Sequence, residues 1–205
     1  NDVALAPDGS GVAHSWFHTY YGMYPCWPNF CYGVVVSNGT GYSPAGPADD
    51  ATQVYQDYGG WGLDFLPDGT VLAAEYLAFD RSMICRYLDP TDPNEPCDEI
   101  VTLSEAEADW VSEPDASPDG TLVAAGVGAP GENDESVSVQ VFSLATGEHV
   151  RTLAPDGDSP SFSPDGASVV FEGSDGWLYI VPSAGGAPTR LVEGTSPTWA
   201  RGDLP

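Results

Sequence analysis

The chain has 205 residues and a formal net charge of −26, from 31 acidic residues against five basic ones. This excess of carboxylates repels phosphate backbones and argues against binding to nucleic acid or to an anionic membrane surface. No apolar stretch approaches the roughly 20 residues that cross a bilayer, so no membrane insertion is expected. A chain of this length supports one domain with a sizeable core.

A short turn motif occurs four times along the chain, and an apolar run follows each copy. The turn residues are Pro7, Asp8 and Gly9, then Pro67, Asp68 and Gly69, then Pro118, Asp119 and Gly120, and finally Pro164, Asp165 and Gly166. Proline presets φ for the first central position of a type I turn, and glycine accepts a positive φ. Each motif therefore predicts a hairpin turn that leads into a strand.

The fourth copy predicts a whole supersecondary unit. Its strands are expected at 159–163, 168–172, 177–181 and 189–192, and a short turn separates each pair. Such an antiparallel meander exposes two apolar faces and cannot stand alone. Stacked radially, units of this kind form the blades of a β-propeller.

The amino-acid sequence of the fourth repeat resembles that of a known family. Ser-Pro-Ser-Phe-Ser-Pro-Asp-Gly-Ala-Ser-Val-Val-Phe at 159–171, with Trp-Leu-Tyr-Ile-Val-Pro at 177–182, resembles the repeats of TolB-like (WD40-like, PD40) β-propellers. The resemblance covers essentially the whole chain and implies an all-β propeller of about four four-stranded antiparallel blades. We expect one domain over 1–205, with blades at 3–58, 59–104, 109–154 and 159–193. The family also implies protein contacts at the cell envelope.

The last residues predict the beginning of a fifth repeat. The segment 196–203 parallels 159–166 with its turn chemistry degraded, which predicts an extra strand at 196–203. Such a strand either closes a four-bladed ring or pairs with another copy, because an unpaired edge templates association. A head-to-tail contact that does not close generates a filament.

The cysteines predict an oxidising compartment. The local pairings Cys26–Cys31 and Cys85–Cys97 would each staple one loop insertion, although four cysteines allow three connectivities. A zinc site is the rival interpretation, but the spacing of the first pair is atypical of zinc and no histidine lies nearby at ligand spacing. Disulfides favour an extracellular or periplasmic protein whose signal peptide has been removed. Asn38 begins a glycosylation acceptor triplet.

An aromatic cluster spans residues 16–32. It is either a small core beneath a disulfide loop or a contact surface for another subunit or a sugar, because Tyr and Trp supply contact area at little entropic cost. Only Asn29 lies close enough to assist sugar binding, which favours a protein partner. The predicted interface residues are Val3, Leu5, Trp16, Phe17, Tyr20, Tyr21, Tyr24, Trp27, Phe30, Pro197 and Trp199.

Catalytic and metal-binding signals are weak. The sequence has neither a Gly-Xaa-Ser-Xaa-Gly elbow nor an HExxH motif. His14 and His18 lie four residues apart on a predicted strand, which favours half-buried or surface residues over a metal pair. The acidic clusters lack the spacing of an EF-hand, so calcium is only a weak candidate there and no other cofactor is expected. The candidate calcium ligands are Asp49, Asp50, Glu132, Asp134 and Glu135.

These features favour a secreted, non-enzymatic structural protein that self-associates through its open propeller edge and terminal strand. Filaments are the expected assembly. Two alternatives remain: a monomeric extracytoplasmic propeller that binds a protein or glycan, and a hydrolase or lyase that uses carboxylates in the central channel.

Overall fold

A computed structural model describes the backbone of part of the chain. The described residues are 3–5, 12–19, 30–37, 42–43, 46–47, 52–56, 60–77, 81–88, 98–104, 107–108, 110–129 and 136–199. Side chains are described within these ranges from residue 62 onward, except at 75–77 and 81.

The strands form four four-stranded antiparallel sheets and one small hairpin. The first sheet has the order β1-β2-β3-β6 and contains Val3–Leu5, Val12–Thr19, Phe30–Ser37 and Thr52–Gln56. The hairpin of β4 and β5, at Tyr42–Ser43 and Gly46–Pro47, lies between the third and fourth strands of this sheet in sequence.

The other three sheets are uninterrupted meanders. The second contains β7 to β10 at Gly60–Phe65, Val71–Leu77, Arg81–Tyr87 and Asp98–Ser104. The third contains β11 to β14 at Val111–Ala116, Leu122–Gly128, Val137–Ser143 and His149–Ala154. The fourth contains β15 to β18 at Asp158–Phe162, Ser168–Glu172, Trp177–Pro182 and Thr189–Glu193. The predicted all-β propeller with four four-stranded blades is confirmed, and the propeller is open.

The Pro-Asp-Gly turns join the first two strands of each of the last three blades. Gly69, Gly120 and Gly166 have φ values of 87°, 68° and 70°, in the left-handed region that glycine adopts without strain. Each of these glycines donates its N–H to the carbonyl of the residue before the proline, at 2.8–2.9 Å. Residues within each turn therefore suffice to close these hairpins.

The aspartates of these turns stabilise them further. The Asp165 carboxylate accepts hydrogen bonds from the Ser163 hydroxyl at 2.6 Å and the Ala167 N–H at 3.0 Å. The Ser163 hydroxyl holds the pKa of Asp165 below its ordinary value, since the bond favours the ionised carboxylate. Hydrogen bonds lower the pKa of two more turn aspartates in the same way, chiefly from Thr70 to Asp68 and from Ser117 to Asp119.

Adjacent blades bury apolar side chains between them. We call the face of a blade that packs against the next blade its leading face, and the opposite face its trailing face. The leading face of the second blade packs on the trailing face of the third in one core cluster, which includes Leu72, Ala74, Ile84, Val101, Val111, Ala116, Val123, Ala125, Val127 and Phe142. A second cluster joins the third and fourth blades and includes Ala124, Val139, Val141, Leu153, Ala154, Phe162, Val169, Phe171 and Val181.

Carboxylates on the first strands also connect adjacent blades. Asp64 of β7 is buried and accepts a hydrogen bond at 3.0 Å from the N–H of Ala116 on β11. Asp115, one residue before Ala116, accepts hydrogen bonds from Phe162 N–H at 2.8 Å and the Ser161 hydroxyl at 3.3 Å, both on β15. The first strands of the second and third blades are therefore each hydrogen-bonded to the first strand of the next blade.

A β-bulge lies near the start of the first strand in each of the last three blades. Pairing of the first two strands shifts register between Gly60 and Leu63, between Ser112 and Asp115, and between Asp158 and Ser161. Inside each bulge one residue has a positive φ: Gly62 at 81°, Glu113 at 46° and Ser159 at 51°. A Cβ on Gly62 would lie 2.3 Å from the Glu113 Cα, so the bulges of adjacent blades touch.

We predict that Gly62→Ala is more destabilising than Gly69→Ala. Both glycines have a positive φ, at 81° and 87°, but only Gly62 faces the backbone of the next blade. Gly69→Ala should cost about 1–2 kcal/mol of backbone strain. Gly62→Ala should cost roughly 2 kcal/mol more because a backbone contact must open. Equal free energies of unfolding in urea for the two variants would contradict the tight contact.

We predict that Asp115→Ala lowers the free energy of unfolding by about 2–3 kcal/mol. The change leaves the N–H of buried Phe162 without its carboxylate acceptor. Urea denaturation measures the loss, and Glu193→Gln, which removes the same charge from an exposed site, is the control. A loss no larger than that of the control would show that the carboxylate does not stabilise the blade contact.

We predict that the stabilising effect of the Asp165 carboxylate disappears in acid. Its folded pKa is lowered, so the stabilisation is present above the unfolded pKa of about 3.9 and is lost as pH falls through the folded value. Asp165→Asn should therefore destabilise the protein near neutral pH, with the difference from wild type shrinking as pH falls below about 4. A difference that is independent of pH would assign the effect to packing.

Candidate functional site

The leading face of the fourth blade carries two of the four large apolar side chains that are exposed in the described residues, although its Val170 is only 6% exposed. Register places Val170 opposite Ile180, and Leu178 follows on the same side of β17. On β18, the last strand of the blade, Leu191 and Val192 are 49% and 56% exposed. We call these five residues the open face.

In the third blade, the face equivalent to the open face is buried against the next blade. Its equivalents of Leu178 and Ile180 are Val139 and Val141, and both are fully buried against the fourth blade. The registers of β14 and β18 likewise align Leu191 with Leu153 and Val192 with Ala154. Leu153 and Ala154 are only 5% and 2% exposed. The open face therefore has the composition of a blade contact with its outer part uncovered.

The segment 194–199 crosses the inner part of the open face. Ser196 has a φ of 46°, which repeats the left-handed conformation of Glu113 and Ser159 in the bulges of the two preceding blades. Its N–H donates to the Glu172 carboxylate at 3.0 Å. The indole N–H of Trp199 donates to the Ser161 carbonyl on β15 at 3.1 Å. The segment thus begins along the path of a fifth first strand.

The predicted extra strand at 196–203 lies partly within the described residues. Residues 194–199 are not assigned to a strand, and 200–205 lie outside the described residues. Of the predicted interface residues, Val3 and Leu5 lie on β1, Trp16 and Phe17 on β2, and Phe30 on β3, where only the backbone is described. Pro197 and Trp199 lie in the segment 194–199 and are half-buried. Four predicted interface residues lie outside the described residues: Tyr20, Tyr21, Tyr24 and Trp27.

Most other predicted sites also lie outside the described residues. This holds for the calcium candidates Asp49, Asp50, Glu132, Asp134 and Glu135, for the acceptor Asn38, for the first turn at Pro7, Asp8 and Gly9, and for Cys26 and Cys97. Register places Cys31 opposite His18, and Cys85 is buried and disulfide-bonded. Within the described parts of the chain, no group of three His, Cys, Asp or Glu side chains is placed to hold a metal ion.

An open cavity of about 170 Å³ lies beside the start of β15. Three carboxylates line it, from Asp156, Asp158 and Glu172. Asp158 accepts a hydrogen bond from the Ser112 hydroxyl at 3.0 Å, and Asp156 accepts one from Ser174 at 2.6 Å. Since Glu172 accepts the Ser196 N–H, each carboxylate contributes to a contact within the protein.

The sequence predicted a fifth repeat that includes Trp199, but it did not predict the residues of the open face on β17 and β18. A signal existed in the strand alternation, because Leu178 and Ile180 alternate with Trp177 and Tyr179. A strand with two apolar sides predicts burial on both, so the exposure of one side depends on where the neighbouring blade lies.

No protein-family profile and no curated protein matches the chain. Solved structures do match it. TolB from Acinetobacter baumannii is 19% identical, with a TM-score of 0.67, and the match covers 98% of this chain and 46% of TolB. An oligogalacturonate lyase in complex with manganese is 15% identical, with a TM-score of 0.62 over 94% of this chain and 53% of the lyase. The Dos1 propeller is 12% identical, with a TM-score of 0.52 over 95% and 48%.

The chain spans about half the length of these structures. Identities this low describe the fold and leave activity open. In the described residues, no helix combines the length and apolarity needed to span a bilayer. The protein therefore has an open β-propeller fold similar to that of TolB.

Proposed function

We propose that the protein is a non-enzymatic structural protein that self-associates through the open face and the adjacent segment 194–199. The exposure of Leu191 and Val192 supports this most directly, because their equivalents in the third blade, Leu153 and Ala154, are buried. Burying an aliphatic side chain contributes about 1.5–3 kcal/mol, so a surface of this kind favours a protein partner.

The charge of the chain is compatible with a specific contact. A net charge of −26 disfavours indiscriminate association between copies. Between blades, by contrast, the described contacts are apolar clusters and hydrogen bonds from backbone N–H groups and serine hydroxyls to buried or half-buried carboxylates. An assembly that extends these contacts joins apolar faces and keeps most carboxylates in solvent.

The proposed assembly is extracellular and filamentous. A disulfide at Cys85 supports an oxidising compartment. A contact between different surfaces of two copies generates a filament when its rotation does not close a ring. The proposal includes no cofactor, and calcium binding at the acidic clusters remains a separate hypothesis.

Two alternatives make different use of the same fold. A monomeric extracytoplasmic propeller would offer the open face to a foreign protein or glycan. A hydrolase or lyase would use carboxylates such as those lining the cavity at β15, as the similarity to the lyase suggests. The hydrogen bonds that Asp156, Asp158 and Glu172 accept within the protein favour a structural role for that cavity.

We predict that the purified protein forms oligomers and that Leu191→Asp weakens them by at least about tenfold, because it places a charge in an apolar contact. Light scattering after size exclusion and negative-stain electron microscopy measure the assembly. Val150→Asp is the matched control, since Val150 is 40% exposed on the third blade and outside the open face. Both variants should keep the wild-type circular dichroism spectrum.

A wild-type protein that remains monomeric at every concentration would overturn self-association. Equal weakening by Leu191→Asp and Val150→Asp would show that association does not use the open face.

A further inference from the structure

The outer strand of the fourth blade is exposed along its whole length. All five residues of β18 are exposed, whereas β10 and β14, the outer strands of the second and third blades, each contain buried residues. Within the described residues, no hydrogen bond from outside the blade reaches β18. The outer edge of a blade lies at the periphery of a propeller, because neighbouring blades pack on its faces. Such an edge can pair with a strand of another chain.

Two residues of β18 direct their backbone groups away from the blade. The Gly173 N–H donates to the Trp177 carbonyl at 2.8 Å, so Trp177 directs its backbone groups toward β16. Tyr179 does the same, because the direction alternates along a strand. On β18, Glu193 lies opposite Trp177, and Arg190 lies opposite Tyr179. Opposed residues of an antiparallel pair either bond to each other or both point away, so the N–H and C=O groups of Arg190 and Glu193 point outward.

A β-bulge sets the spacing of these two outward-directed residues. Leu191 and Val192 both lie opposite Leu178, so the register of β17 and β18 shifts between Arg190 and Glu193. By the same alternation Leu178 directs its backbone groups toward β18, and both bulge residues face it. Arg190 and Glu193 are therefore three residues apart, instead of the two that separate outward-directed residues in a regular strand.

The side chains of Arg190 and Glu193 carry opposite charges on the same side of the sheet, since each lies opposite an aromatic residue of the trailing face. The Arg190 guanidinium lies over the Trp177 ring, 3.4 Å from its centroid. Within the described part of the chain neither charge forms an ion pair. Both charges are therefore available to a second chain.

Antiparallel β18 strands from two copies can align their outward-directed residues in three registers. One register places Arg190 opposite Arg190 and another places Glu193 opposite Glu193, and like charges directly opposite each other are destabilising. The third places each Arg190 opposite Glu193 of the other copy and forms two such pairs. In that register the bulges lie opposite each other, so Leu191 of one copy meets Val192 of the other. The charges therefore select one register.

We propose that two copies of the chain associate through their β18 strands, which pair antiparallel about a two-fold axis with each Arg190 opposite Glu193 of the other copy. The two fourth blades then form one continuous sheet. The contact supplies partners for the backbone groups of the edge and pairs two exposed charges in each copy. It goes beyond the proposed contact across the open face, because it uses the edge of the blade and remains available when another blade covers that face.

Charge reversal tests the register. Arg190→Glu and Glu193→Arg each place like charges opposite each other twice in a dimer, so each variant alone should dimerise at least about tenfold more weakly than wild type. Mixed together, the two variants should form heterodimers, because each changed residue then lies opposite a residue of the other charge. Sedimentation velocity with fluorescently labelled Arg190→Glu measures its affinity for unlabelled Glu193→Arg, which should return close to that of the wild-type dimer.

The matched control partner for labelled Arg190→Glu is Glu148→Arg, which makes the same charge change at an exposed residue of the third blade. Both mixtures have the same net charge and lack the same contact between Arg190 and Trp177. The control partner should bind at least about threefold more weakly than Glu193→Arg, because one pair of carboxylates stays opposed. All variants should keep the wild-type circular dichroism spectrum.

Equal binding of labelled Arg190→Glu to the two partners overturns the strand pairing and leaves self-association through the open face standing. A wild-type protein that is monomeric at every concentration overturns both. If Arg190→Glu does not fold, the homodimers of Glu193→Arg and Glu148→Arg are compared instead, and equal affinities overturn the strand pairing.

Discussion

The packing of each first strand against the next organises the described part of the propeller. The carboxylates of Asp64 and Asp115 each accept a hydrogen bond from a backbone N–H of the following blade. The bulge at Gly62 brings β7 into contact with β11. These hydrogen bonds set the register between blades. The apolar clusters between the blades restrict relative sliding less, because dispersion contacts have little directionality.

The fourth blade lacks the aspartate that makes the hydrogen bond to the next first strand in the second and third blades. Ser161 stands at the position of Asp64 and Asp115, and its hydroxyl bonds back to Asp115. It therefore offers no carboxylate to a following strand, and its carbonyl accepts the Trp199 indole N–H instead. A blade junction built here depends more on apolar burial than the two internal junctions do. In the proposed self-association, such a junction would form and dissociate without leaving a buried carboxylate unpaired.

Much of the fold followed from local chemistry. Pro-Asp-Gly closes a hairpin wherever it occurs, since proline, aspartate and glycine each satisfy one requirement of the turn. The repeat therefore predicted the number of blades and their antiparallel order. The bulges were not predicted, because Glu113 and Ser159 have no intrinsic preference for a positive φ. Contacts with neighbouring strands impose that conformation.

At the candidate site, too, the sequence determined some features and the tertiary structure determined others. By itself the sequence predicted a fifth repeat near Ser196, and it determined that Trp199 follows Ser196 at the spacing by which Phe162 follows Ser159 in the fourth blade. Only the tertiary structure decided that Leu191 and Val192 are exposed while Leu153 and Ala154 are buried. These pairs have similar local sequences and differ in whether another blade lies against them. Burial is a property of the neighbouring surface, so no pattern within one strand encodes it.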